Sequence, residues 1–99
     1  MTHTVKEIMT QVVLDWGAES QLNMLIEECA ELIDAIQKYR RDRVSDKNII
    51  EEAADVGLCI EQLLFMFDAH DLFDKIRLAK LERLESMIYR EEVNHVAKQ

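Results

Sequence analysis

No proline interrupts this chain of 99 residues, and its only glycines are Gly17 and Gly57. Tight turns between strands need glycine, proline, asparagine and aspartate at defined positions, so this sequence disfavours an all-β fold. Apolar residues recur at helical spacing almost throughout, and 48% of all residues are hydrophobic, which is enough for a core. We therefore expect an all-α fold, a bundle of four helices in a single domain over residues 1–99.

Capping and glycine signals give the expected helix limits. Thr4 and Glu7 have capping-box spacing, which predicts that the first helix starts at Thr4. Gly17 is the predicted end of that helix, and Asn48 is the predicted cap of the third. The later helices are expected over about 20–40, from about 48 after a polar loop, and over about 72–89 or beyond, after a turn near residues 70–71.

The second and third predicted helices each carry an apolar stripe. On the third helix, Ala53 and Gly57 predict a smooth strip that another helix can approach closely. Seven residues of the second helix fall on one face and are expected to be buried: Leu22, Leu25, Ile26, Cys29, Leu32, Ile33 and Ile36. The expected seam of the third helix consists of Ile49, Val56, Ile60, Leu63 and Phe67, and the expected apolar edge of the fourth of Leu78, Leu81, Leu84 and Ile88.

The charge balance limits the partners. Twenty acidic residues against 12 basic ones give a net charge of −8, which repels phosphate backbones and disfavours nucleic acid as a partner. No apolar run is long enough to cross a membrane, and the first residues do not resemble a signal peptide. Two cysteines in apolar surroundings suggest reduced thiols and a cytoplasmic protein. A chain of this size buries only about 60–65% of its unfolded surface, which favours homo-oligomers.

Acidic residues at fixed spacing are the main functional signal. Glu28 and Glu31 form an i,i+3 pair on the second predicted helix, and Glu52 and Asp55 form one on the third. The short loop between these helices makes them antiparallel neighbours, so the four carboxylates can converge beside the core. Such a cluster would repel itself and take up protons unless it held a hard cation, Mg²⁺ or Mn²⁺. The alternative is a solvated acidic surface.

The two acidic strings together resemble a known family. Glu27-Glu28-x-x-Glu31, twenty intervening residues and Glu52-x-x-Asp55 look like the motifs of the MazG-like all-α nucleoside triphosphate pyrophosphohydrolases. The resemblance spans about residues 16–84 and implies a helical bundle that works as a dimer or a dimer of dimers. It implies Mg²⁺-dependent hydrolysis of a nucleoside or deoxynucleoside triphosphate to the monophosphate and pyrophosphate. The metal ligands that it implies are Glu28, Glu31, Glu52 and Asp55, with Glu27 as an outer group, a base or plain surface.

The two acidic motifs say less about which residues contact the nucleotide than about the metal ligands. Lys80 and Arg83 resemble the basic segment that follows the second motif in this family, which implies contacts to phosphate; salt bridges to exposed acids are the alternative. Trp16 could stack on a nucleobase, or belong to the core or a dimer interface. Gln21 could hydrogen-bond a base or a phosphate. Some family members use a downstream asparagine for the nucleotide, and here Asn94 lies too near the end to match.

Other functions remain open from the sequence. A non-catalytic helical dimer could act as an adaptor or a nucleotide-binding protein, and an inactive relative would bind nucleotide without hydrolysis. A di-iron carboxylate bundle needs two E-x-x-H strings on separate helices, whereas this chain has one, Glu92-x-x-His95. Another candidate cluster for the charge of the triphosphate lies near the loop: Lys38, Arg40, Arg41 and Arg43. The alternative is a solvated helix end with a favourable dipole interaction.

Overall fold

The computed structural model describes the backbone of residues 1–98 and the side chains of residues 1–90. This range contains four helices and no strand, which confirms the predicted all-α fold. The chain divides into two compact units, Met1–Asp68 and Ala69–Gln99, so a single domain over residues 1–99 stays a prediction. Asn94 and the Glu92-x-x-His95 string lie outside the described side chains. The helices are α1 (Val5–Trp16), α2 (Ala18–Arg40), α3 (Asp46–Phe67) and α4 (His70–Lys98).

Helix α1 begins and ends where the sequence predicts. The Thr4 hydroxyl oxygen accepts a hydrogen bond from the backbone N–H of Glu7 at 3.1 Å. The same hydroxyl donates to the Glu7 carboxylate at 3.1 Å, so the glutamate meets the cap side chain rather than the predicted cap amide. Gly17 has φ 86°, a region that residues with a Cβ avoid. This single residue joins α1 to α2, which therefore begins at Ala18, earlier than the predicted Ser20.

The other connections are also shorter than predicted. Ser45 has extended backbone angles and precedes α3, so the predicted cap at Asn48 is wrong. Asn48 already lies in the first turn, where its N–H bonds to the Ser45 carbonyl at 3.1 Å. Helix α3 ends at Asp68, which adopts the left-handed conformation with φ 49°. The turn after α3 therefore lies before residue 70, and α4 begins at His70.

Helices α2 and α3 pack as antiparallel neighbours, and α1 packs against both. The half-buried and buried residues of α2 form one narrow stripe at spacings of three and four residues, in which Glu28 occupies a central position. That stripe consists of Gln21, Leu22, Leu25, Glu28, Leu32 and Ala35. The first three turns of α3 contribute Asn48, Ile49, Glu52 and Val56 to the facing stripe.

The predicted buried face of α2 is too wide. Ile26 is 67% exposed and Ile33 59% exposed, and Cys29 and Ile36 are exposed as well, because the seam with α3 covers only a narrow line of side chains. On α3, Phe67 is likewise exposed rather than buried. The four residues of the predicted apolar edge of α4 are also exposed: Leu78, Leu81, Leu84 and Ile88.

The predicted close approach at Gly57 does not occur among the described residues. A Cβ built at Gly57 would have no heavy atom within 4 Å, and Ala53 is exposed. No helix in the described part of the chain is long and apolar enough to cross a membrane.

The two glycines predict opposite effects of substitution. Gly17→Ala should lower the free energy of unfolding by about 1–2 kcal/mol, because alanine is strained at the positive φ of this position. The added Cβ itself would have no heavy atom within 4 Å. Gly57→Ala, in a helix interior with equally free space, should raise it by up to about 1 kcal/mol. Urea unfolding followed by circular dichroism measures both. Equal effects of the two substitutions would contradict a strained backbone at Gly17.

Candidate metal centre

Two glutamates occupy positions in the α2–α3 seam where apolar residues are expected. Glu28 lies in the half-buried stripe of α2 between Leu25 and Leu32, and Glu52 lies in that of α3 between Ile49 and Val56. The i,i+3 partners Glu31 and Asp55 are exposed. Each helix therefore places one carboxylate inside the seam and another at its rim. From the sequence, both carboxylates of each pair are expected beside the core.

Three of the carboxylates come together. One oxygen from each of Glu28, Glu31 and Glu52 lies within 4.8 Å of the others. Oε2 of Glu28 and Oε2 of Glu52 are buried and have no hydrogen-bond partner. Buried polar atoms in proteins nearly always have a partner, so two such acceptors side by side need a cation or protons.

The pKa shifts of the two half-buried glutamates also indicate that the cluster favours a cation or protons. Burial raises the pKa of Glu28 and of Glu52, and the negative charges of Glu31 and Asp55 raise the pKa of both further. Two nearby lysines engage acids outside the cluster. Lys38 pairs with Asp34 at 2.9 Å, and Lys47 approaches Glu51 at 3.8 Å.

The donor set fits a hard divalent cation. All three clustered ligands offer carboxylate oxygens, which Mg²⁺ and Mn²⁺ prefer, whereas structural zinc sites are built mainly from cysteine and histidine. Cys59 is a soft donor close enough to the cluster for the charge of Glu28 to act on it. Burial raises the pKa of its thiol, and the charges of Glu28 and Asp55 raise it further, so the thiolate that binds metals is disfavoured.

Asp55 and Glu27 lie around the cluster rather than in it. Asp55 is exposed, close enough for its charge to act on Glu28, Glu52 and Cys59, but it is not one of the three clustered residues among those described. Glu27 is exposed and lies about 100° around α2 from Glu28. The structure thus gathers three of the four predicted ligands and leaves Asp55 at the rim.

The predicted substrate contacts are spread over both units. Trp16 is 65% exposed and lines a cavity of about 630 Å³ along α1. None of the four predicted metal ligands is among the described residues that line this cavity. Gln21 is half-buried, and its Nε2 is buried without a hydrogen-bond partner. Lys80 and Arg83 are exposed on α4, in the second unit.

One polar residue of the first unit was missed by sequence reasoning. Gln62 is 3% exposed and lies on α3, seven residues after Asp55. A separation of seven residues returns to nearly the same helix face. Extending the face of Asp55 along α3 would therefore have found Gln62 as a polar residue in an apolar stretch.

Comparison with known proteins shows the family of the chain. A sequence model of the MazG nucleotide pyrophosphohydrolase domain matches residues 17–84, which is more than half of the chain. The chain belongs to this family. Both acidic strings of the MazG domain fall within the matched residues, and so do Gln21, Lys80 and Arg83, whereas Trp16 lies just before them. No curated protein and no solved structure matches the chain.

The cluster predicts an unusual effect of a conservative substitution. Glu52→Gln should raise the stability of the metal-free protein at pH 8, because it removes one negative charge whose ionisation in the fold is disfavoured. Because the pKa of Glu52 is higher in the folded protein than in the unfolded protein, ionisation of Glu52 destabilises the fold. This destabilisation is complete above the folded-state pKa, and it disappears as the pH falls to the ordinary glutamate pKa of 4.5. The advantage of Glu52→Gln should therefore shrink on acidification.

Thermal unfolding from pH 4.5 to pH 8, with and without Mg²⁺, measures this effect. Mg²⁺ should raise the Tm of the unsubstituted protein and have little effect on Glu52→Gln. Glu51→Gln is the matched control, since it removes the same charge from an exposed neighbour that approaches Lys47. A Glu52→Gln variant that is less stable at pH 8 and keeps its Mg²⁺ response would contradict the assignment.

Proposed function

We propose that this MazG-domain chain is a Mg²⁺-dependent hydrolase that converts a nucleoside or deoxynucleoside triphosphate to the monophosphate and pyrophosphate. The observation that carries the proposal is the group of three carboxylates in the α2–α3 seam, two of which have a buried oxygen without a partner. These residues lie inside the matched MazG domain. Phosphoryl transfer depends mostly on positioning and charge neutralisation, which such a cluster supports.

The four predicted ligands divide into two roles. Glu28, Glu31 and Glu52 would hold the ion, and Asp55 at the rim would complete its coordination once its side chain turns inward. When bound, Mg²⁺, or Mn²⁺ as the alternative, neutralises phosphate charge and lowers the pKa of a bound water. Glu27 is exposed next to Glu28 and is suited to accept the proton of the attacking water.

The substrate needs further contacts. We assign Lys80 first and Arg83 second to the phosphates, because a triphosphate requires positive charge beyond a metal ion and both residues lie within the matched domain. Trp16 and Gln21 are assigned to the nucleotide as well. Trp16 has an exposed indole ring for stacking, and Gln21 has an amide group whose Nε2 is free to donate.

The protein is proposed to act as a homodimer or homotetramer in the cytoplasm. Only three apolar residues among those described are buried, Met9, Ala35 and Leu64, whereas Ile26 and Ile33 are exposed on one face of α2. A chain with so small a core gains stability by covering such faces with another copy. The net charge of −8 argues against nucleic acid as a partner.

Hydrolysis is tested by pyrophosphate release over the common NTPs and dNTPs with Mg²⁺. Glu52→Gln and Asp55→Asn should each lower kcat/KM about hundredfold or more, because each removes a ligand whose charge is needed in the transition state. Glu51→Gln should keep nearly full activity. Full rates in both ligand variants would refute the metal-site assignment. Nucleotide binding without turnover in Mg²⁺ and in Mn²⁺ would instead indicate a nucleotide-binding protein.

Self-association is tested by sedimentation velocity across protein concentrations. We expect a dimer or tetramer, with a Tm that rises with protein concentration because association stabilises the fold by mass action. Ile33→Glu should shift the protein toward monomer and lower the Tm, whereas Asp34→Asn, at the adjacent exposed position, should leave association unchanged. A monomer at all concentrations would contradict this part of the proposal.

A further inference from the structure

Gln62 presents a buried acceptor that the protein itself does not satisfy. Its Nε2 donates to the Met9 carbonyl at 3.0 Å, and its Oε1 has no hydrogen-bond partner. A carbonyl can only accept, so the amide nitrogen must face Met9, which determines the orientation of the amide. With 3% of the residue exposed, Oε1 is an acceptor held in one direction.

This acceptor belongs to a cavity between α1 and α3. The cavity has a volume of about 230 Å³, and Gln62 lines it together with the apolar side chains of Met9, Val13, Phe65 and Met66. Leu14 and one further polar residue, the exposed Thr10, complete the lining. A mostly apolar cavity with few polar groups is typical of sites that bind organic molecules. Its chemistry suits a ring that carries an N–H donor.

The cavity lies at a defined distance from the carboxylates. Gln62 follows Asp55 by seven residues and Glu52, the α3 residue of the cluster, by ten, which corresponds to about 10 Å and about 15 Å along the helix axis. A ribose with an attached base spans a distance of that order. A triphosphate at the carboxylates could therefore direct its base toward the α1–α3 cavity.

A second unsatisfied group points to the same end of the seam. Gln21 precedes Glu28 by seven residues on one face of α2, and its Nε2 is buried without a partner. Helices α2 and α3 are antiparallel. The position seven residues before Glu28 on α2 and the position seven residues after Asp55 on α3 therefore lie toward the same end of the seam, away from the loop between the two helices. Gln21 is not among the described residues that line the α1–α3 cavity, so its donor is available to a part of the nucleotide outside this cavity.

We propose that the α1–α3 cavity receives the nucleobase and that Gln62 Oε1 accepts a hydrogen bond from an N–H of the base edge. Trp16 does not line this cavity, so in this arrangement the base does not stack on its indole ring. This inference rests on the proposed nucleotide hydrolysis, and it makes Gln62 a specificity-determining residue. Bases without an N–H on that edge bind poorly, because the buried Oε1 stays unpaired.

The first test needs no substitution in the protein. Binding of non-hydrolysable α,β-methylene triphosphates with Mg²⁺ is compared by calorimetry for two matched pairs: thymidine against N3-methylthymidine, and adenosine against N6,N6-dimethyladenosine. In the pair whose parent binds, methylation should weaken affinity about fivefold to tenfold, the loss expected for one hydrogen bond. Equal affinities within that pair would overturn the proposal.

The second test uses Gln62→Met, which keeps the length of the side chain and removes its acceptor. This variant should bind the parent nucleotide about fivefold to tenfold more weakly and should no longer discriminate against methylation. Inorganic triphosphate, which has no base, should bind the variant and the unsubstituted protein equally with Mg²⁺. That equality also shows that the variant is folded.

The two proposals fail in different ways. Loss of inorganic triphosphate binding in Glu52→Gln, together with unchanged nucleotide affinity in Gln62→Met, would leave the hydrolase assignment in place and reduce Gln62 to a structural role. An unsubstituted protein that binds parent nucleotides without cleaving them, and loses affinity on methylation, would support the base site while contradicting hydrolysis. Absence of all nucleotide binding would overturn both.

Discussion

Repulsion between carboxylates in the α2–α3 seam is the constraint on which the rest of the site depends. Glu28 and Glu52 are half-buried in the stripes through which the two helices pack, and Glu31 lies within reach of both. Apolar residues at positions 28 and 52 would pack better and carry no desolvation penalty. A fold that retains acids there would be less stable without a cation, and under the proposed function the binding energy of the cation would contribute to folding.

The same seam explains why so few side chains are fully buried. Its packing stripe on α2 is only one or two residues wide, and Glu28 interrupts its apolar sequence. The flanking residues Ile26 and Ile33 therefore remain exposed in the single chain. The acidic cluster in the seam and the apolar face outside it are thus linked, because acids placed in the packing stripe leave less of the chain's hydrophobic surface to stabilise the monomer.

Much of the fold follows from local signals in the sequence. The Thr4 cap, the stop at Gly17 and the two acidic pairs at i,i+3 spacing were all readable, because capping, positive φ and helix phase depend on near neighbours. Burial of Ile33 and Phe67 was predicted wrongly, since helical periodicity identifies an apolar face but not how much of it a neighbour covers. Gln62 was missed for a similar reason, because its partner, Met9, lies 53 residues away in the sequence.

The positions of the polar groups divide the seam into two chemically different ends. Toward the loop between α2 and α3, the polar groups are carboxylates, which suit a cation and the phosphates that it attracts. At the other end, the unpaired groups are the neutral amides of Gln21 and Gln62, which can hydrogen-bond a base but cannot neutralise a phosphate. The rate of hydrolysis and the preference for a base would then be separable. Substitutions among the carboxylates would change the binding of both nucleotides and inorganic triphosphate. Substitutions at the amides would change only the discrimination between bases.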